Sequence, residues 1–205
     1  AALLFLKVHA DELGINDAQI MVGGESAGGG LTVVTCLLAR DLGEVNIAYQ
    51  MPLYPMLDDR ETASSRDNHT PVWNTRTNRF AWKYYLRDLD GVTPPSYAAP
   101  ARETNYAGLP PAYTYIGTEE PFYCETLEYV AGLKRAGVEA SVDVYPHWFH
   151  AYDMLLPFAK KSKEAVRRFE EHYLYATEHY FAPQRIPPSL STKIDPQPKG
   201  SNYGY

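Results

Sequence analysis

Cysteine is scarce in this chain. Of 205 residues only Cys36 and Cys124 are cysteines, and they lie far apart. Two distant cysteines offer neither a disulfide framework nor metal-ligand spacing, so no metal is expected. Cys36 falls in an apolar helical run and reads as a small buried hydrophobe. A block of basic residues is missing too. Lys and Arg number 19 against 25 Asp and Glu, a net charge of -6. That excludes the usual electrostatic footprint for nucleic acid or an anionic membrane. No apolar run is long enough to span a bilayer. The opening "AALLFLKVHADELG" lacks the basic segment and small-residue cleavage site of a signal peptide. These features read as cytoplasmic unless an earlier segment carries a signal: the chain has no initial Met and opens inside a helical pattern. No internal repeat is present.

What remains is ordinary for a globular protein, with 45% hydrophobic and 21% charged residues. Tyrosine is abundant at 17 residues, a bias often found in pocket walls and interfaces. The pattern predicts a helix from Ala1 to about Leu13, stopped by Gly14, then a buried strand in "AQIMVGG". A helix is predicted over Ala27 to about Leu42, where Leu31, Val34, Leu38 and Leu42 recur at helical spacing. "NIAYQMPLYP" reads as a second strand. Residues 58–95 read as a polar insertion with one helical patch, "NRFAWKYYLRD". "AYTYIG" and "ASVDVYP" read as further strands. The segment between them reads as a helix starting on Pro121 and ending at Gly137. A last helix is predicted from about Leu156 to Tyr180. Strands alternating with helices imply an α/β fold with a mostly parallel sheet and helices on both faces. The expected domain is residues 1–182. Residues 183–205, with five prolines, read as an extended or disordered tail.

Five glycines crowd the stretch "MVGGESAGGGLTVV", with Ser26 at its centre. It contains G-x-S-x-G as Gly24-Glu25-Ser26-Ala27-Gly28, placed after a buried strand and before a helix. A serine that merely caps a helix would not need glycine on both sides. Strand, sharp turn and helix form the setting of a nucleophile elbow, in which neighbouring residues must be small. Gly24 and Gly28 are expected to permit the turn, and Gly29 and Gly30 to let the helix pack close to the strand. A serine hydroxyl is a weak nucleophile and needs a base, itself oriented by a third group. In this architecture the acid and then the histidine follow the serine. His147 and His150 both follow the strand "ASVDVYP"; small Ala151 beside it favours His150. For the acid, Glu119 and Glu120 both stand between a strand and a helix, and the spacing does not choose between them. Asp143, inside a strand, and Asp153, after His150, sit poorly for that role.

Three ordered stretches, "GGESAGGG", "GLPPAYTYIGTEEPFYCE" and "VYPHWFHAYDML", make the chain resemble the bacterial hormone-sensitive-lipase-like esterases of the α/β-hydrolase fold. The family reads "G-D-S-A-G-G", "L-P-P-A…G…D-P-L…E" and "Y-P…H-G-F" there. "YPMLDD", "YAAP" and "LKRAGVEASVDVYP" fit as well, and the likeness runs from about Ala1 to Leu156. The resemblance implies Ser26 as nucleophile, His150 as base and Glu120, directly before Pro121, as the acid. It implies the Ala27 N–H as an oxyanion donor and an acyl-enzyme route for carboxylic esters with small to medium acyl groups. No cofactor is implied, the partner is a small-molecule ester, and a homodimer is expected by analogy. Residues 58–95 are expected to line the pocket. Trp73, Phe80, Trp82 and Tyr84 are candidates there, and Glu25, His147 and Phe149 are further pocket candidates. "HAY" replaces "HGF", an exchange expected to be mild.

One element of the family pattern, an upstream "H-G-G-G" loop whose N–H groups complete the oxyanion hole, does not occur in the sequence. The expectation is therefore a C-terminal portion of a longer protein, or a shortened gene product. The sheet would lack its first strands, and "AQIMVGG" would become an apolar edge. Rival readings are an amidase or lactonase with the same three residues, a ligand-binding relative without catalysis, and a truncated inactive hydrolase. Retention of His150 speaks against the second.

Overall fold

Four strands run parallel in chain order: β1 (Met21–Glu25), β2 (Tyr49–Leu53), β3 (Ala112–Gly117) and β4 (Ala140–Tyr145). This comes from a computed structural model that describes residues 1–184 except Asp90. Parallel neighbours need a crossover between them, and that excursion carries helices onto the sheet faces. Helices α3 (Ala27–Leu42) and α5 (Tyr123–Arg135) share one core layer around Val33, Cys36, Leu37, Tyr129 and Leu133. Helix α7 (Lys160–His179) closes the other layer, where Ala165 and Phe169 meet Tyr49, Met51, Tyr113 and Tyr115. Every residue of β2 and β3 is buried, as expected of strands covered on both faces. Within that core Gln50 is paired at both side-chain atoms: its nitrogen donates to Pro110 O, and its oxygen accepts from the Tyr129 hydroxyl.

β1 pairs with β2 from Met21↔Tyr49 to Glu25↔Leu53. Among the described residues no strand lies on its other side, and its residues are at most half-buried. The expected edge is therefore present. A cavity of about 510 Å³ runs along it, from Met21 to Glu25 on one side and to Phe169 and Tyr173 of α7 on the other.

Several element boundaries differ from the sequence pattern. The first helix divides at His9 into α1 (Ala2–Val8) and α2 (Ala10–Leu13), because His9 leaves helical geometry at φ -104, ψ 18. The helix placed at Pro121 begins at Tyr123, since Pro121 and Phe122 are spent on a turn. The last helix begins at Lys160. Pro157 disfavours helical geometry at Leu156, which sits at φ -124, and only a short helix, α6 (Tyr152–Leu155), precedes it. At the start of the expected tail, Pro183 and Gln184 are placed: Asn46 donates to Pro183 O, and the Gln184 side chain donates to Asp17 O and Asn46 O. The rest of the expected tail, 185–205, lies outside the described residues.

Residues 58–95 include α4 (Thr75–Tyr85). Its start is fixed by a capping box: Asn74 accepts from the N–H groups of Arg76 and Thr77, and the Thr77 hydroxyl accepts from the Asn74 N–H. The segment before α4 is tied to the turn after β3. The Ser64 hydroxyl donates to Pro121 O at 2.7 Å and accepts from the Cys124 N–H at 3.0 Å. Asn68 donates to Glu119 O at 2.9 Å. Glu125 completes the tie, with Oε1 accepting from the N–H groups of Leu57 at 2.6 Å and Asp58 at 3.2 Å.

Glu125 is buried, and its Oε2 has no hydrogen-bond partner among the described residues. Burial pushes its carboxyl up to about 8, against the pull of the two backbone donors. The proton is thus held more tightly in the folded than in the unfolded chain. Stability falls as pH rises from about 4.5 to about 8 and is lowest above that window. The predicted loss is on the order of 4 kcal/mol across the window. Glu125→Gln, which keeps the acceptor and cannot ionise, should flatten that slope. Urea midpoints of both proteins at pH 5 and pH 9 measure the difference.

Candidate active site

β1 ends at Glu25 and α3 begins at Ala27, so Ser26 alone makes the turn between them. It does so at φ 56, a conformation that costs a non-glycine residue energy and must be held from outside. The hold comes from the end of β2 and the loop after it. The Ser26 N–H donates to Leu53 O at 3.0 Å, and Ser26 O accepts from the Met56 N–H at 3.0 Å. The reversal is tight enough to decide which glycines are needed. A Cβ on Gly24 would lie 2.6 Å from Gly28 O. A Cβ on Gly30 would collide with Met56 O, and one on Gly29 would lie 2.8 Å from the Pro55 side chain. Helix α3 therefore presses on the end of β2, at Leu53 O, and on the loop after it. Gly28 departs from expectation, because a Cβ there meets nothing within 4 Å. Its backbone is what crowds Gly24; its own side-chain position is open.

The Ser26 side chain makes no capping bond to α3. Its hydroxyl lies 2.9 Å from His150 Nε2. On the other side of the ring, Nδ1 lies 2.7 Å from Glu120 Oε2. With Glu120 ionised, Nδ1–H donates to the carboxylate and Nε2 is left to accept the Ser26 proton. The structure thus brings Glu120 to His150, while Glu119 stays at the surface near His147 and Thr118. Glu120 is fully buried, and its Oε1 accepts from the Gly117 N–H at 3.3 Å. Burial raises its carboxyl above the usual range, opposed mainly by the His150 hydrogen bond and charge. His150 is itself buried, enclosed by Tyr54 and Phe122, each edge-on at 5.2 Å, and by Trp73 at 5.9 Å. The next residue, Ala151, sits at φ 57. Alanine for glycine is therefore not mild here, since only glycine adopts that region freely.

An apolar cavity of about 200 Å³ opens beside Ala27. Leu31 and Val34 of α3 form one wall, and Trp73, Ala81, Trp82 and Tyr85 from the 58–95 segment form another. Trp73 and Trp82, both candidates from the sequence, thus line this cavity. Phe80 and Tyr84 do not: they lie on the outer side of α4, exposed and stacked on each other, because Trp82 and Tyr85 take the inner face. Three other pocket candidates also lie elsewhere. Glu25 lines the cavity along the β1 edge together with the rest of β1. Its carboxyl is raised by partial burial and by the charge of Asp153. His147 turns outward at φ 66 and is almost fully exposed. Phe149 is half-buried against the core cluster that includes Trp82, Phe122 and Tyr152.

The sequence did not single out Tyr54, Tyr115 and Phe122, and it set Asp153 aside. Asp153 is buried behind His150 and accepts from the Tyr115 hydroxyl at 2.8 Å and the Tyr54 hydroxyl at 3.4 Å. Its one sequence signal was its place three residues after the histidine, which carries meaning only once α6 is folded. Among the described residues no helix is long and apolar enough to cross a membrane, and no cluster of three His, Cys, Asp or Glu residues is arranged to hold a metal.

A family profile described as alpha/beta hydrolase fold matches residues 1–154. The chain is 30% identical over 170 residues to Esterase LipI of Mycobacterium tuberculosis, covering 82% of this chain and 53% of that protein. It is 29% identical over 173 residues to Carboxylesterase NlhH of the same organism, with coverage of 82% and 54%. Among solved structures, Bacterial Heroin Esterase superposes with a TM-score of 0.75 at 39% identity, covering 82% of this chain and 56% of that one. The chain spans about half the length of these curated relatives.

The turn yields a prediction that separates its two flanking glycines. Gly24→Ala should destabilise the fold by about 2 kcal/mol or more, because both clashing atoms are backbone. Gly28→Ala should leave stability unchanged or raise it by up to about 1 kcal/mol, since alanine favours the helix. Thermal melts of the two variants check this.

Proposed function

The chain belongs to the α/β-hydrolase family, and from that premise we propose that it carries the reactive centre of a serine carboxylic-ester hydrolase. The observation that carries the reading is the continuous chain of hydrogen bonds from Ser26 through His150 to buried Glu120. Its members stand on three different connections of the sheet, after β1, β3 and β4.

Ser26 attacks the ester carbonyl as His150 Nε2 takes its proton. Glu120 keeps Nδ1 protonated and stabilises the imidazolium that forms. The first N–H groups of α3, beginning with Ala27, have no acceptor within the helix and point at the developing oxyanion. His150 then protonates the leaving alcohol. An acyl group remains on Ser26, and water removes it with His150 again as base. The apolar cavity beside Ala27 receives the acyl chain. At about 200 Å³ it lies below the usual range for ligand pockets and suits short acyl groups. The names of the relatives support ester chemistry, and the 39% identity to an esterase of known structure supports it further.

Hydrolysis of p-nitrophenyl acetate and butyrate is the test. Ser26→Ala should lower the rate by at least about 10³-fold, and equal rates would refute the nucleophile. Ala81→Phe, which fills the cavity, should lower kcat/KM for the butyrate about tenfold more than for the acetate.

A further inference from the structure

Asp153 has a bonding pattern that packing alone does not explain. It is buried, its Oδ2 takes both the Tyr115 and the Tyr54 hydroxyls, and its Oδ1 has no hydrogen-bond partner among the described residues. A buried carboxylate with an unpaired oxygen is costly, and its presence calls for a reason. The reason lies in what the two tyrosines touch. Tyr54 sits at φ 33, between the two residues that clamp the Ser26 turn, Leu53 and Met56. Its ring stands edge-on to His150, and its N–H donates to Tyr115 O at 3.1 Å. Tyr54 is thus the one ring around His150 whose backbone neighbours also hold the serine.

We propose that Asp153 is the positioning residue of this site: by fixing Tyr54 and Tyr115 it sets His150 against the Ser26 hydroxyl. One carboxylate oxygen joins the ends of β2 and β3 to α6, which follows His150. Phe122 and Trp73 pack on the same imidazole but make no such link to the turn. Without the anchor, Tyr54 keeps its strained backbone, and its hydroxyl is left with the Glu25 carboxyl alone. The clamp on Ser26 and the wall of His150 then loosen together. A displacement near 1 Å is enough to cost a large factor in proton transfer. Asp153 touches neither substrate nor the reacting atoms, so its effect is on rate through His150.

The inference rests on the proposed hydrolase reading, and its test separates the two. The readout is the rate at which a fluorophosphonate labels Ser26 in the full chain, followed by intact mass, with folding checked by circular dichroism. Wild type should label and Ser26→Ala should not. Asp153→Ala should label about tenfold more slowly, with half-saturation by the probe unchanged. Asp153→Asn keeps an acceptor oxygen and should recover to within about threefold of wild type. Tyr54→Phe keeps the ring but loses its bond to Asp153, and should slow labelling severalfold, though less than Asp153→Ala, which also frees Tyr115. Adding it to Asp153→Ala should cost nothing more, since Asp153→Ala has already released the Tyr54 hydroxyl. If Asp153→Ala fails to fold, Tyr54→Phe and Asp153→Asn decide the matter. Wild-type rates in Tyr54→Phe, or losses that multiply in the double variant, would overturn the inference and leave the hydrolase reading intact. A wild-type chain that takes no label at Ser26 would refute both.

Discussion

The approach of Gly24 to the Gly28 carbonyl is the contact on which the site depends. It lets β1 reverse into α3 within a single residue, and that residue is Ser26. The turn leaves the serine at φ 56, so the chain must hold it, and Leu53 at the end of β2 and Met56 in the loop after it do so with one backbone hydrogen bond each. The same loop then presses against Gly29 and Gly30. The small residues after the serine thus serve the clamp, and the clamp keeps the hydroxyl turned toward His150 rather than toward the helix end it could otherwise cap.

Glu120 is held by a different arrangement. Glu120 stands in the turn between β3 and α5, and that turn is secured by the segment preceding α4 through Ser64, Asn68 and Glu125. The segment that fixes the acid also supplies Trp73 and Trp82 to the cavity beside Ala27. Cavity shape and acid placement are consequently coupled. A change in the 58–95 segment reaches the imidazole by two routes, through Trp73 directly and through Glu120.

Much of this was legible in the sequence because it depends on local chemistry. Parallel β/α order follows from the alternation of apolar strand and helix patterns. Ser26 stood out through its glycines, His150 through its place after the last strand, and Glu120 through family resemblance. Other features depended on distance in space. No periodicity shows that Gly28 is sterically free while Gly24 is not. Phe80 and Trp82 look equivalent in "NRFAWKYYLRD" until α4 selects an inner face. His147 and Phe149 both closely precede His150 in sequence, yet a turn at φ 66 sends one into solvent and the other packs against the core. Asp153 sat poorly as the acid of the relay. Its structural place is behind the base, where Tyr54 and Tyr115 from two other strand ends reach it.

The central claim is that Ser26 becomes acylated during ester turnover. The most direct measurement is to mix the chain with p-nitrophenyl acetate, quench it in acid during the burst, and locate the acetyl group by peptide mass spectrometry. The account predicts acetyl on the Ser26 peptide, with release of one p-nitrophenolate per acyl group formed. Turnover with no acyl group on Ser26, or with the group on another residue, would contradict it.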